Sequence, residues 1–298
     1  VLTGLLLVLI GGWGNLLAQN AGSNYARQVN TLIGTKGVGL TSGYLYPGAT
    51  YPYGMVQFTP SYFSKRSGFV INQLSGGGCE HMGNFPTFPV KGKLKMSPDN
   101  ILNYRINISE EKGHAGYYEA MVQEDIKAKL TVTERTGMAS YEYPADQQYG
   151  TVIIGGGISA TPIEQAAIVI TAPNKCEGYA EGGNFCGLRT PYKVYFVAEF
   201  DADALESGTW KRDELKPNTT FAEGEYSGVY FTFDVSKKKN VQYKIGVSYV
   251  SVENARENLK AENTGWDFLQ IQNQAESKWN HYLGKIEVEG TNPDRTTQ

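Results

Sequence analysis

This sequence has little of the side chains that most often carry chemistry. Only three histidines and three cysteines occur in 298 residues. Zinc takes four ligands, or three and an open position, and His81, His114 and His281 are scattered rather than grouped. Cys79 and His81 form a C-x-H pair, but nothing nearby supplies the third group that would orient a thiolate. No phosphate-binding loop, nucleophile elbow or zincin pattern occurs. Excess positive charge is also missing. The net charge is −3, and the one basic run, Lys237-Lys238-Lys239, leads into Asn240 as a turn between strands. Nucleic acid and anionic membranes are therefore poor partners on electrostatic grounds.

Long apolar runs are absent except at the start. VLTGLLLVLIGGWGNLLAQN is too short and too glycine-interrupted to span a membrane. It reads as the apolar core and cleavage zone of a secretory leader, although neither Met nor a basic stretch precedes it. Residues 1–22 are assigned to this signal peptide. It predicts an exported protein, periplasmic or secreted, of bacterial type. An oxidising compartment permits a Cys176–Cys186 bridge, with Cys79 left over.

What the sequence does have is glycine (35) and tyrosine (20). Glycine exceeds its usual share of about 7%, which indicates many turns. Tyrosine combines an apolar face with a hydroxyl and suits sugar rings, but it is equally an ordinary strand residue. Hydrophobic residues at 41% and charged residues at 19% suit a folded globular chain. Its length allows one large domain or two ordinary ones.

Short alternating runs dominate after Ser23. Val241, Tyr243, Ile245 and Val247 share one face and Gln242, Lys244, Gly246 and Ser248 the other, as in a half-buried strand. Leu102, Tyr104, Ile106 and Ile108 alternate likewise, as do Ala128, Leu130 and Val132. Residues 192–200 and 230–235 are rich in strand formers. Turn clusters separate them: Gly155-Gly156-Gly157, Gly182-Gly183-Asn184 and Lys216-Pro217-Asn218. Many short strands with little helix between them predict an antiparallel β-sandwich.

The pattern changes near the end. Residues 252–262 favour a helix. Thr264 then caps a second one with Asp267 as its capping-box partner, and Gly284 stops it. Phe268, Ile271, Ala275, Trp279 and Tyr282 make an apolar stripe. That stripe either packs on the sandwich, leads into a further helical domain, or serves as a docking surface together with Trp266. The fold class is thus mainly β: a sandwich over residues 23–250, then one or two linker helices over 251–298.

Two glycine-punctuated loops stand out: YPGATYPYGMVQFTP at residues 46–60 and SGGGCEHMGNFPTFP at 75–89. Glycine lets backbone approach a ligand closely. Beside these glycines stand Tyr44, Tyr46, Tyr51, Tyr53, Cys79, Glu80, His81 and Asn84. Both loops, in this order, resemble the N-terminal domain of glycoside hydrolase family ninety-two, the calcium-dependent exo-acting α-mannosidases. The likeness extends to Gly116-Tyr117-Tyr118, to AKLTVTER at 128–135, to VYFVAEF at 194–200 and to GVSYVS at 246–251. It closes with Trp279-Asn280 and Leu283-Gly284-Lys285-Ile286.

The resemblance implies a sandwich joined by linker helices to a larger (α/α) toroid, with the sugar pocket between them. It implies hydrolysis of terminal α-linked mannose from glycans with inversion. The acid, the base and most of the Ca2+ environment belong to the toroid, which this chain is expected to lack. No catalytic or metal-binding residue is therefore assigned here, and the chain alone is expected to be inactive. Gly78, Cys79, Glu80, His81, Asn84 and Tyr46 are the implied substrate-binding residues. The partners are a mannose-containing glycan and the toroid, with no nucleic acid and no membrane span. Two departures bear on the sugar beyond the cleaved bond. Val70-Ile71-Asn72-Gln73 stands where many members carry histidines, and Tyr44 and Leu45 replace another. A stand-alone carbohydrate-binding sandwich is the alternative.

Overall fold

The computed structural model describes residues 24–35, 45–61, 68–77, 79, 81–99 and 107–286. The leader at 1–22, Tyr44, Gly78, Glu80 and the alternating Leu102, Tyr104 and Ile106 lie outside the described residues.

In chain order the elements are α1 (Tyr25–Gln28), β1 (Ala49–Thr50), β2 (Gln57–Pro60), β3 (Phe69–Val70), β4 (Thr87–Lys91), β5 (Ile108–His114), β6 (Tyr117–Val122), β7 (Ile126–Val132), β8 (Thr136–Glu142) and β9 (Tyr149–Gly155). They continue with β10 (Ile163–Ala172), β11 (Lys175–Phe185), β12 (Leu188–Phe200), β13 (Glu206–Lys211), β14 (Glu214–Pro217), β15 (Phe221–Glu223), β16 (Ser227–Asp234) and β17 (Asn240–Ser248). Two helices follow, α2 (Val252–Glu262) and α3 (Phe268–Leu283). One sheet has 8 strands in the order β1-β2-β3-β4-β9-β16-β13-β14, and the other has 9 in the order β15-β10-β11-β12-β17-β8-β7-β6-β5. The described strand pairings are antiparallel. The expected antiparallel sandwich with trailing helices is the observed fold.

Aromatic side chains from the two sheets meet in the core. Phe200 of β12 lies 4.9 Å from Phe231, 5.1 Å from Phe233 and 5.3 Å from Tyr243, ring centre to ring centre. Phe69 stacks on Tyr141 at 6.2 Å. Tyr118, Tyr141, Tyr230 and Tyr243 are fully buried, so these tyrosines are core residues rather than sugar platforms.

Two expectations about strands are corrected. Strand β17 is not half-buried: Lys244, Gly246 and Ser248 are buried as well, because α2 covers the second face. A Cβ on Gly246 would lie 2.5 Å from the Ala255 carbonyl oxygen. Nor do Gly182-Gly183-Asn184 form a turn. They sit inside β11, where the register with β12 shifts. The turn is Cys186-Gly187, with φ of 51° and 83°, the left-handed pair that a tight hairpin requires.

The helix start is corrected too. Asp267, not Thr264, caps α3, its side chain accepting from the Gln270 amide at 3.0 Å. A carboxylate next to the first turn satisfies one of the helix's unpaired N–H groups. The apolar stripe packs on the sandwich, with Ile271 and Ala275 buried. Gly116, at φ +86°, makes room: a Cβ there would lie 2.9 Å from that of Ala275. The two tryptophans are also engaged. Trp279 Nε1 donates to the Thr50 carbonyl at 2.7 Å, and the Lys244 ammonium sits 4.4 Å from the Trp266 ring centre.

Glu276 fastens α3 to the start of the chain. It is 5% exposed, accepts from Arg27 Nε at 3.0 Å and from Gln272 Nε2 at 2.7 Å, and lies 3.6 Å from His114 Nε2. Burial alone raises its carboxyl, but the hydrogen bonds from Gln272 and Arg27 and the charges of His114 and Arg27 outweigh burial and hold it below the usual range. A depressed carboxyl stabilises the fold above its unfolded value of about 4.3, and that contribution is lost as pH falls through the folded value. Glu276→Gln is therefore expected to cost about 2 kcal/mol at neutral pH. Melting curves of parent and variant should converge as pH is lowered below about 4. A gap that persists undiminished in acid would refute this.

Candidate functional site

The first glycine loop is held by its close approach to β2. The Gly48 amide donates to Thr59 Oγ1 at 3.1 Å. A Cβ on Gly48 would fall 2.2 Å from that of Thr59 and 2.3 Å from the Phe58 carbonyl oxygen, so no other residue fits without moving backbone. Thr31 Oγ1 donates to the Pro47 carbonyl at 3.0 Å. The Gly54 amide closes a turn on Tyr51 at 2.9 Å, which leaves Tyr53 at the surface, 5.3 Å from the Tyr282 ring.

The second loop, taken with residues 71–74 that lead into it, closes on itself and on the first. The Ile71 amide donates to the Asn84 carbonyl and the Leu74 amide to that of His81, both at 3.3 Å. The Gln57 amide donates to the Ile71 carbonyl at 3.0 Å, joining the two loops. Asn72 and Asn84 lock together. The Asn84 amide donates to Asn72 Oδ1 at 2.7 Å, and Asn84 Oδ1 accepts from Asn72 Nδ2 at 3.1 Å and from the Tyr192 hydroxyl at 2.8 Å. Burial pushes the Tyr192 phenol up to about 12, so it stays a donor.

The cysteine pairing differs from the one considered above. Cys79 is bonded to Cys186, across 107 residues of sequence, and Cys176 is free. Cys176 lies on β11, fully buried and opposite Ala198. Nine residues of strand separate it from Cys186 at the hairpin tip, about 30 Å at the usual rise. Burial raises its thiol well above the ordinary range, which makes it inert. Cys79, bonded through its sulfur, is no thiolate. The hairpin tip also packs on the loop: His81 lies edge-on 5.3 Å from the Phe185 ring and 5.5 Å from the Tyr192 ring.

Both loops line one cavity of about 590 Å³, a size usual for small-molecule sites. Tyr46, Thr50, Gln57, Gln73, Tyr249 and Trp279 form most of its polar and aromatic wall. Of the residues expected to bind substrate, Tyr46 lines the cavity, whereas Cys79, His81 and Asn84 are not among its lining residues. Gly78 and Glu80 lie outside the described residues. Tyr249 and Trp279 were not anticipated as site residues, and Gln73 entered only within a stretch bearing on the sugar beyond the cleaved bond, with no role of its own. Gln73 was legible only as part of a stretch lacking histidine, and Trp279 only as a member of a helix stripe. No carboxylate lines the cavity among the described residues, and none of their His, Cys, Asp and Glu side chains group in threes to hold a metal ion. Hard calcium takes six to eight oxygens, carboxylates foremost. The described donor set does not fit it.

Comparison with known proteins bears on this site. A model described as the glycosyl hydrolase family 92 N-terminal domain matches residues 28–248, and one for the catalytic domain of that family matches 254–298. A protein of Arthroderma benhamiae described as an uncharacterized secreted glycosidase is 26% identical over 301 residues, covering 88% of this chain and 38% of its own length. A family GH92 alpha-mannosidase from Bacteroides thetaiotaomicron superposes with a TM-score of 0.76 at 24% identity, over 90% of this chain and 39% of that one. An inverting GH92 mannosidase of the same organism gives 0.74 at 24% identity, over 92% and 38%. At those identities the two solved structures show a shared fold. The chain spans 38% of its sequence relative and 39% of the first of these structures.

Proposed function

Because this chain belongs to glycosyl hydrolase family 92, through a domain model that covers residues 28–248, we propose that its two glycine loops form the sandwich side of a pocket for a terminal α-linked mannose. The parent protein is then an exported exo-α-mannosidase that hydrolyses glycans with inversion. The observation that carries this reading is the cavity of about 590 Å³ between the loops. Its wall mixes aromatic faces with amides and hydroxyls, which suits a sugar ring. Tyr46 contacts the sugar. Gly78 and Glu80 are the further residues proposed to bind it, and Cys79, His81 and Asn84 hold the described part of their loop in place.

Inverting hydrolysis needs an acid and a base flanking the bond. Both, together with calcium, are assigned to parts of the enzyme outside the residues described. Residues 23–250 form the sandwich domain, and 251–298 carry the helices toward the catalytic one. The present residues orient the sugar, and misplacement by about 1 Å costs on the order of a hundredfold in rate. That no carboxylate lines the cavity among the described residues equally suits a stand-alone carbohydrate-binding module. Hydrolysis of an aryl α-mannoside by the natural full-length protein with calcium separates the two readings.

Calorimetry tests the shared core of both. Methyl α-mannoside is expected to bind this chain with a Kd of about 1 mM, roughly −4 kcal/mol, and aryl α-mannoside is expected not to turn over. No binding heat at saturating sugar would sink the pocket reading. Turnover above background would sink the assignment of catalysis elsewhere.

A further inference from the structure

Among the described residues, four buried polar side-chain atoms without a hydrogen-bond partner lie in the segment 73–84: Gln73 Nε2, Gln73 Oε1, His81 Nδ1 and Asn84 Nδ2. Native proteins leave few such atoms, and each calls for an explanation. His81 and Asn84 still have ring contacts or other hydrogen bonds. Gln73 differs. It is 2% exposed, neither end of its carboxamide is paired among the described residues, and the residue lines the cavity. One side of the amide faces glycine, which offers no side-chain partner: a Cβ on Gly83 would lie 3.5 Å from Gln73 Cδ.

A carboxamide presents one donor and one acceptor group side by side. Two neighbouring hydroxyls on a sugar ring present the complementary pair. We propose that Gln73 is a specificity-determining residue of this cavity, turning its carboxamide toward a vicinal diol of the bound ligand. This rests on the sugar-pocket reading above. The amide is unsatisfied without ligand, so the rotation that exposes it to the sugar loses no hydrogen bond. A ligand lacking either hydroxyl leaves one end unpaired, which is how a hydrogen-bonding site rejects deoxy analogues.

The test measures binding of methyl α-mannoside and its four monodeoxy analogues by calorimetry, to the parent protein and to Gln73→Met, with melting temperatures of both. Methionine conserves volume and removes both polar ends. The parent is expected to bind at least one deoxy analogue roughly ten- to hundredfold more weakly than the full sugar. Gln73→Met is expected to bind the full sugar that weakly and to show no further loss with that analogue. Its melting temperature should stay level or rise by about 2–4 °C, since an unpaired buried amide has been removed. Deoxy analogues that all bind the parent as tightly as the full sugar would overturn the proposal whether or not the variant folds. So would unchanged sugar affinity in Gln73→Met, or a fall in its melting temperature with undiminished deoxy discrimination. Those results leave the pocket reading intact. Absence of any sugar binding to the parent overturns the pocket reading and this inference with it.

Discussion

Cys186→Ser is expected to lower stability by about 4 kcal/mol, and to lower the melting temperature by about 10 °C. The Cys79–Cys186 bridge spans 107 residues, and a cross-link that closes so long a loop restricts the unfolded chain strongly. The effect should extend to the site. The loop that carries Cys79 supplies Gln73, Leu74 and Ser75 to the cavity wall, and the bridge fixes that loop to the tip of the β11–β12 hairpin. Without it, binding must order the loop first, and mannoside affinity is expected to fall about tenfold. Denaturant titration and calorimetry, on the variant and on the reduced parent, check both numbers. Equal midpoints for parent and variant would show that the bridge adds nothing to the fold. Reduction of the parent should reproduce the variant, because Cys176 is buried and takes no part.

Phe200→Ala is expected to cost about 3–5 kcal/mol while leaving sugar affinity unchanged. Phe200 is fully buried and touches Phe231, Phe233 and Tyr243 from both sheets. Truncation removes those contacts and leaves a cavity that two hydrogen-bonded sheets cannot collapse to fill. Phe200 does not line the loop cavity, so at temperatures where the variant is folded its binding heat should match the parent. A loss of affinity as large as that of Cys186→Ser would mean that the core and the loops move together. A cost below about 1 kcal/mol would mean that the sheets repack easily.

Much of the sandwich was legible because alternation reports burial directly. Residues 128, 130 and 132 alternate and do lie on one buried face of β7. Alternation misled at β17, since the sequence of a strand says nothing of a helix laid over its outer face. The glycine triplet at 155–157 ends β9 as expected, with Gly155 its last residue. The pair at 182–183 does not end its strand, because a glycine serves a bulge as readily as a turn. The hairpin tip fell instead on Cys186-Gly187, where cysteine had been counted as a bridge candidate and not as a turn residue. Tyr46 was legible as a site residue through its glycine loop. Gln73 was not, because its distinguishing property is a missing hydrogen bond, and partners are a matter of three dimensions.

The sequence by itself determined the class of fold, the family and the two loops that matter, because period, turn chemistry and motif order are local properties of a chain. The tertiary structure decided which cysteine meets which, that α3 lies on the sandwich, and that Gln73, Tyr249 and Trp279 face one cavity. Gln73 and Trp279 are more than two hundred positions apart along the chain. They come together through the packing of loops and of α3 on the sandwich, which no short-range pattern records.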